Sequence, residues 1–516
     1  MKKIVVTLAC AAMLLGAASG ASAIDYKVRG QWLMVFDAGS PELLHSTRKG
    51  NVENKPTREN FEAIQRIRVG FDAIFSERLS ATFLTQIGPQ RWGKSAQGAA
   101  IGADGTNVIR MRWAFLDWMV PDTSLKVRMG LQHITMPNKM GSVVFDDRVA
   151  GITASYKFND NVGLTAWWMR PYNDNYGGED KNGTIVDQNY LDNLDLWGLS
   201  VPVKYDGFEA TPWVLYGIMG RNTMWSGGEK NVWTNWGTDG NPHNTLLPNP
   251  NMMDRGPEKY TNHATNKTYG SLFWVGVPIG ITALEPWNIE LDFNYGYAEE
   301  MGRFNAYKGA VSPENLKRSS SQRQGWFAKA LVEYKLDWGA PGVFGWYSSG
   351  DDSNPKNGSE RMPSIAPYQQ MTGNMLGNNN YTLVPWHNGD LALAGTWGIG
   401  LQVRNASFIK DLKHTLKATY IGGTNSPSMI KYMDTAYAWD SGWTAFSGPY
   451  LTTDDALVEL SLMNQYKMYE NFTILADLGY VANCMDNSTW NKAGNRDSTF
   501  SKQDGWKIQL AFMYNF

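Results

Sequence analysis

The sequence predicts an all-β protein, a transmembrane antiparallel β-barrel of about eighteen strands. Three observations predict it. Apolar and polar residues alternate with a period of two in segment after segment. Short turns and long polar connections follow one another along the chain. The last residue, Phe516, is aromatic and closes one of the alternating segments.

The chain opens on a secretory leader. Lys2 and Lys3 form its basic start, residues 4–16 its apolar stretch, and Ala21-Ser22-Ala23 a small-residue cleavage site. The expected division is residues 1–23 as signal peptide and 24–516 as one barrel domain. The apolar stretch is too short for a membrane anchor and ends in small residues. Cys10 lies too early in it to be an acylation site, which argues against a lipoprotein. Ile24 leads into the first strand almost at once, so no N-terminal plug domain is expected.

Composition narrows the class further. The 22 Trp, 24 Tyr and 20 Phe argue against disorder, which depletes aromatic residues. Beyond the leader there is no apolar run of about 18 residues, so no membrane-crossing helix is expected. Loss of Lys2 and Lys3 makes the formal charge of −2 two units more negative, and nothing points to nucleic acid. Cys484 is then the one cysteine left, which excludes an internal disulfide. A closed, hydrogen-bonded barrel supplies stability of another kind.

The strands follow in order. The first is expected at 26–36. Ile67, Val69, Phe71 and Ala73 then alternate with Arg66, Arg68, Gly70 and Asp72. After the Ser76-Glu77-Arg78 turn come Leu79, Ala81, Phe83, Thr85 and Ile87. Ile109, Met111, Trp113 and Phe115 set an apolar face on which Asp117 then falls, so a bulge or the end of the membrane zone is expected there. Leu125, Val127, Met129 and Leu131 alternate with Lys126, Arg128, Gly130 and Gln132. The same pattern holds at Ile289 to Tyr297, Trp326 to Tyr334, Phe472 to Tyr480 and Trp506 to Phe516. The last runs eleven residues, and a membrane-crossing strand needs about 9–11.

Connections sort by length. Asn159-Asp160-Asn161, Tyr205-Asp206-Gly207, Asp337-Trp338-Gly339 and Glu470-Asn471 read as short turns. Residues 221–268 and 351–388 read as long polar loops. Short periplasmic turns and long extracellular loops are the habit of outer-membrane barrels. Counting hairpins gives eighteen strands, with sixteen as the alternative, and an even count puts both termini in the periplasm.

With these residues laid out, the chain resembles the general porins of Gram-negative bacteria, and most of all the major homotrimeric porins of sulfate-reducing bacteria. The resemblance spans the mature chain. Phe512, Tyr514 and Phe516 match that family's assembly signal, which the barrel-assembly machinery reads. The resemblance implies passive diffusion of small hydrophilic solutes and ions through a water-filled lumen, with no cofactor. It also implies a homotrimer set among outer-membrane lipid and lipopolysaccharide. A substrate-specific channel with a solute site in its lumen is the alternative.

Candidate functional residues therefore line a pore. Arg66, Arg68, Arg110, Arg112, Lys126 and Arg128 lie opposite the apolar faces of neighbouring strands and form a basic patch. Porins of the resembled kind set such a wall against an acidic, inward-folded third loop. By strand count that loop is 133–150, and its carboxylates are Asp146 and Asp147. Opposed charges across a narrow passage would orient dipolar solutes. Glu290, Asp292, Lys329, Glu333, Glu459 and Asp477 are further lumen candidates, and with both signs present the ion preference does not follow from net charge. Trp167, Trp213 and Phe327 alternate inward but are too scattered for a sugar slide. Asp351-Asp352-Ser353-Asn354 has the composition of a calcium loop without its spacing. His45, His243, His263 and His387 are scattered, so no metal site is expected. No G-x-S-x-G elbow appears, and no catalytic residue is assigned.

Overall fold

The computed structural model describes residues 24–40, 43–48, 60–102, 109–173, 193–220, 267–308, 312–377, 391, 393–433, 449–491 and 498–516. The leader 1–23, the cleavage site, most of 221–268, and His243, His263 and His387 lie outside them.

Eighteen antiparallel strands close into one barrel. They are β1 (Asp25–Ser40), β2 (Asn60–Ser76), β3 (Leu79–Arg91), β4 (Ile109–Met119), β5 (Leu125–Thr135) and β6 (Asp146–Lys157). Next come β7 (Gly163–Asn173), β8 (Asn193–Ser200, resuming at Val203–Tyr205) and β9 (Phe208–Ala210, resuming at Trp213–Gly220). Then follow β10 (Tyr269–Ile281), β11 (Trp287–Ala298), β12 (Arg323–Tyr334), β13 (Ala340–Ser348) and β14 (Thr396–Ile409). The last are β15 (Leu412–Gly423), β16 (Ala456–Tyr469), β17 (Phe472–Asn483) and β18 (Gly505–Asn515). The interruptions in β8 and β9 fall at Pro202 and Pro212, whose nitrogens cannot donate to a ladder. Closure is between first and last strands: β18 pairs with β1 from Gln31↔Asn515 to Ser40↔Trp506. The terminal Phe516 N–H and carbonyl both bond the backbone of Gly30, at 3.0 and 2.7 Å.

One end of the cylinder carries the termini and tight turns such as Glu77-Arg78, Lys410-Asp411 and Glu470-Asn471. The other carries every long connection. Three of these form two small ribbons: Leu44–Arg48 of the first connection pairs with Ser498–Lys502 of the last, and Arg303–Tyr307 pairs with Leu316–Ser320 within one connection.

The strand alternation sends apolar side chains outward. Trp32, Phe71, Phe83, Leu116, Phe293, Leu401, Leu460 and Ile508 are exposed on the outer face. Asp37, Arg66, Asp292, Lys329, Glu333, Glu459, Asp477 and Lys507 are buried inside. This inverts the distribution of a water-soluble protein. Aromatic pairs ring the short-turn rim, including Tyr156–Phe158, Trp287–Tyr334 and Tyr514–Phe516, with centroids 5.0, 4.9 and 5.9 Å apart. Rings with an apolar body and a polar tip suit a membrane–water boundary. Phe512 lies 6.1 Å from Phe36 and 6.3 Å from Phe472, tying the closing strand to both neighbours. Among the described residues no helix is long and apolar enough to cross a membrane.

The phase break in β4 is a bulge. Leu84 pairs with Trp113 and Thr85 with Met111, leaving Arg112 as the extra residue. Past it the faces exchange. Trp113, Phe115 and Asp117 share one face with Arg128 on β5, while Leu116 and Trp118 point out.

The bore is not an open tube. Along β8 to β13 many inward residues are apolar, among them Leu196, Trp213, Leu215, Leu272, Trp274, Phe327, Phe344 and Trp346, all buried. Two connections fold in to cover them. One is 136–145 between β5 and β6, the other the described stretch 349–377 of the 349–395 connection between β13 and β14. They bond each other: Ile365 N–H donates to the Val144 carbonyl at 3.0 Å, Tyr368 to Ser142 at 2.8 Å, and Gln370 to Met140 at 3.0 Å. The indole N–H of Trp213 donates to Pro137 at 2.7 Å and that of Trp274 to Pro363 at 2.9 Å. Trp213 and Phe327 thus face inward as expected, but as parts of this packed core, with Trp167 packed against it.

Candidate functional site

The passage is bounded by what the packed side leaves free. The outward run Ile67, Val69, Phe71 turns Arg66 and Arg68 of β2 inward. Arg66 donates from Nη2 to Gln31 at 2.8 Å, and its buried Nε has no acceptor. Arg68 donates from Nε to Gln86 at 3.0 Å. Arg128 grips Asp117 through two bonds of 2.6 and 2.8 Å, and Lys126 lies 3.0 Å from the same carboxylate. Asp117 therefore balances the lower end of the basic wall. That partner was hidden from the sequence because it lies past the bulge.

The third loop differs from expectation. The connection is 136–145, and Asp146 and Asp147 are not in it. They begin β6, paired with Thr135 and Ile134, because the β5–β6 ladder runs further than the alternation indicated. The loop does fold inward, but its tip is Asn138 and Lys139. Asn138 bonds Asn294, and the Lys139 N–H donates to Asp292 at 2.9 Å. Lys139 also pairs with Glu209. An acidic loop facing a basic wall is thus not what forms.

Instead the hairpin end brings more cations. Pairing between β4 and β5 stops at Ala114↔Leu131, while β5 and β6 stay paired to Thr135↔Asp146. The freed hairpin end leans into the bore. Its His133 and Arg148 join Arg66, Arg68, Arg112 and Arg128 around a cavity of about 720 Å³, with Trp113 and Phe115 in the same wall. No carboxylate lies among the described lining residues. Asp146 bonds His133 at 2.7 Å and Asp147 bonds Arg148 at 3.1 Å, both within the hairpin. Arg110 is the second residue of β4 and is not in this lining.

Acidic candidates gather across the bore. Asp292 and Lys329 are direct cross-strand partners 2.7 Å apart, both side chains buried. Glu333 holds Arg404 and accepts from Gln402 at 2.7 Å. Glu290 and Asp477 line a second cavity of about 510 Å³, with Lys139, Arg404, Lys413 and Lys417. Glu459 faces no water path. It accepts three backbone N–H bonds from the 349–395 loop. Asp351 is likewise a structural group, accepting from Ser359 at 2.5 Å and Tyr450 at 2.7 Å. No group of three or more His, Cys, Asp or Glu side chains suited to a metal occurs among the described residues.

No protein-family model and no curated protein matches the sequence. Crystal structures of Pseudomonas aeruginosa OccK8 (OprE) and of OccK2 (OpdF) in complex with glucuronate align at TM-score 0.47 with 9% and 10% identity, covering 95% of this chain and 98% of theirs. A BenF-like porin from Pseudomonas fluorescens Pf-5 aligns at TM-score 0.47 with 9% identity over the same shares. At such distances nothing about function passes from them to this chain.

Proposed function

We propose that the chain is an outer-membrane channel through which small hydrophilic solutes and ions diffuse passively, with anions favoured. One observation carries this reading: a closed cylinder that is apolar outside and charged and cavitied within. Such an outer surface is stable only in lipid, where a closed barrel leaves no backbone edge unpaired. The arginine-lined cavity raises the local concentration of anions. The leader at 1–23 accounts for export, and the terminal aromatics for recognition by the assembly machinery. A homotrimer among lipopolysaccharide fits the same setting. No catalytic step is assigned to it.

A second reading has its own support. Two loops cross the bore and leave cavities of about 720 and 510 Å³ in place of an open tube, which favours a channel with a solute-binding site. Reconstitution in planar bilayers separates these. Discrete ohmic steps and flux linear in solute concentration are expected of the general channel, saturable flux and solute block of the specific one. Folded protein that inserts but passes neither ions nor solutes would end both.

A further inference from the structure

We infer that residues 370–376 form a fixed bolt along one wall that narrows the passage, and that Lys417, Glu459 and Lys507 are positioning residues that hold it there. The inference rests on the transport reading and concerns what sets the width of the path.

The segment belongs to the 349–395 loop and lies flat against the inner wall of β15 to β18. Its backbone has no ladder to join, so its polar groups need other partners. Three charged side chains supply them. Lys417 donates from Nζ to the carbonyls of Gln370, Met371 and Thr372 at 2.8, 3.1 and 3.1 Å. Glu459 accepts from the N–H groups of Gly373, Met375 and Leu376 at 2.7, 2.8 and 3.0 Å. Lys507 donates to the carbonyl of Asn374. The Asn374 side chain adds bonds to Ser461 at 2.9 Å and to the Leu478 carbonyl at 3.1 Å. Hydrogen bonds with one charged member are the strong kind, and here they point at backbone from both sides.

The wall is shaped for this guest. Lys417, Ser461, Gly479 and Lys507 occupy one row across β15, β16, β17 and β18. A Cβ on Gly479 would sit 2.4 Å from Asn374 and 2.5 Å from Met375. A Cβ on Gly373 would sit 1.9 Å from the Ser461 hydroxyl. Glycine on both surfaces lets two backbones approach where side chains would hold them apart. Gln370, Thr372, Gly373 and Asn374 then present their free side to the 510 Å³ cavity. Glu459, a pore-facing charge by sequence, serves as an anchor.

The test uses the full chain carrying Glu459→Gln and Lys417→Met together. A Met375→Cys probe in a Cys484→Ser background reports the bolt directly, because Met375 is 1% exposed. Release should speed labelling by a water-soluble maleimide about tenfold or more, as expected for loss of local protection. Single-channel conductance should rise roughly twofold, and larger poly(ethylene glycols) should enter, as a wider path requires. Unchanged labelling and conductance in a barrel shown to be folded by its heat-shifted gel mobility would overturn the bolt. If the double variant does not fold, Glu459→Gln alone is measured in the same way. Faster labelling of a protein that never conducts would keep the bolt and remove the transport reading.

Discussion

The two halves of the bore obey the same strand alternation and end in opposite chemistry. Along β8 to β13 the inward positions carry Trp213, Trp274, Phe344 and Trp346 beside the paired Asp292 and Lys329, and two loops pack onto the indoles as in the core of a soluble protein. Along β1 to β5 and β18 the inward positions carry Gln31, Arg66, Arg68, Arg128 and Asn515, and the space beyond them is hollow. Period-two patterning sets which residues leave the lipid. It does not set whether water or protein meets them inside. That is decided by the loops, and the loops stay where buried indoles and charged anchors give their backbones partners.

Substitutions in the two halves should therefore fail in different ways. The largest effect is expected from Trp274→Ala. It removes a fully buried ring and the bond to Pro363, and large-to-small changes of this kind cost about 3–5 kcal/mol. Thermal unfolding in detergent, followed by gel mobility, should show a marked drop. A melting point within a degree of wild type would mean that the core does not support the fold. Next comes the hollow half. Replacing the cavity-lining Arg66, Arg68 and Arg112 by Gln should lower stability far less than Trp274→Ala, since Gln still hydrogen-bonds at these places and taking a guanidinium out of water is itself costly. It should move the zero-current potential in a salt gradient toward cation preference. The difference between variant and parent should shrink at about 1 M salt, where charges are screened within roughly 3 Å. Unmoved potentials at low salt would count against the basic cavity as the source of selectivity.

The smallest effect belongs to the connection between β17 and β18. Asp486 caps the short helix Asn487–Trp490, accepting from the N–H groups of Ser488 and Thr489. These bonds hold its carboxyl well below the usual range. The contribution is present above the unfolded carboxyl value of about 3.9 and fades as pH falls through the lowered one. Asp486→Ala should therefore speed amide exchange at 488–490 at neutral pH, with the gap between variant and parent closing only in strong acid. Equal exchange at neutral pH would show that the cap contributes nothing.

Much of the wall was legible in the sequence, because lipid imposes one rule on every outward residue. Ile67, Val69 and Phe71 announce β2 as clearly as Trp506, Ile508 and Leu510 announce β18. The phase break at Asp117 was visible too, and the bulge at Arg112 is its cause. The interior was less legible, because inward positions accept Arg66 and Trp274 alike and no pattern separates them. Asp146 and Asp147 were misplaced for a related reason. A hairpin that leaves the wall keeps its own ladder, so polar residues that resemble a loop still form a strand. Glu459 was found but assigned to water, since its backbone partners come from a loop whose path has no sequence periodicity.

The union of Gly30 with Phe516 has a consequence for how the molecule is made. The contact joins residues almost the whole chain apart, so β1, although it pairs with β2 at once, must wait for β18 on its other edge. Until β18 docks, that side of β1 is a bare edge able to recruit any extended peptide. Such long-range pairing is inherently slow. A cell making this protein must therefore shield the chain until its final residue is in hand, and a copy truncated by even one strand should aggregate rather than form a smaller ring.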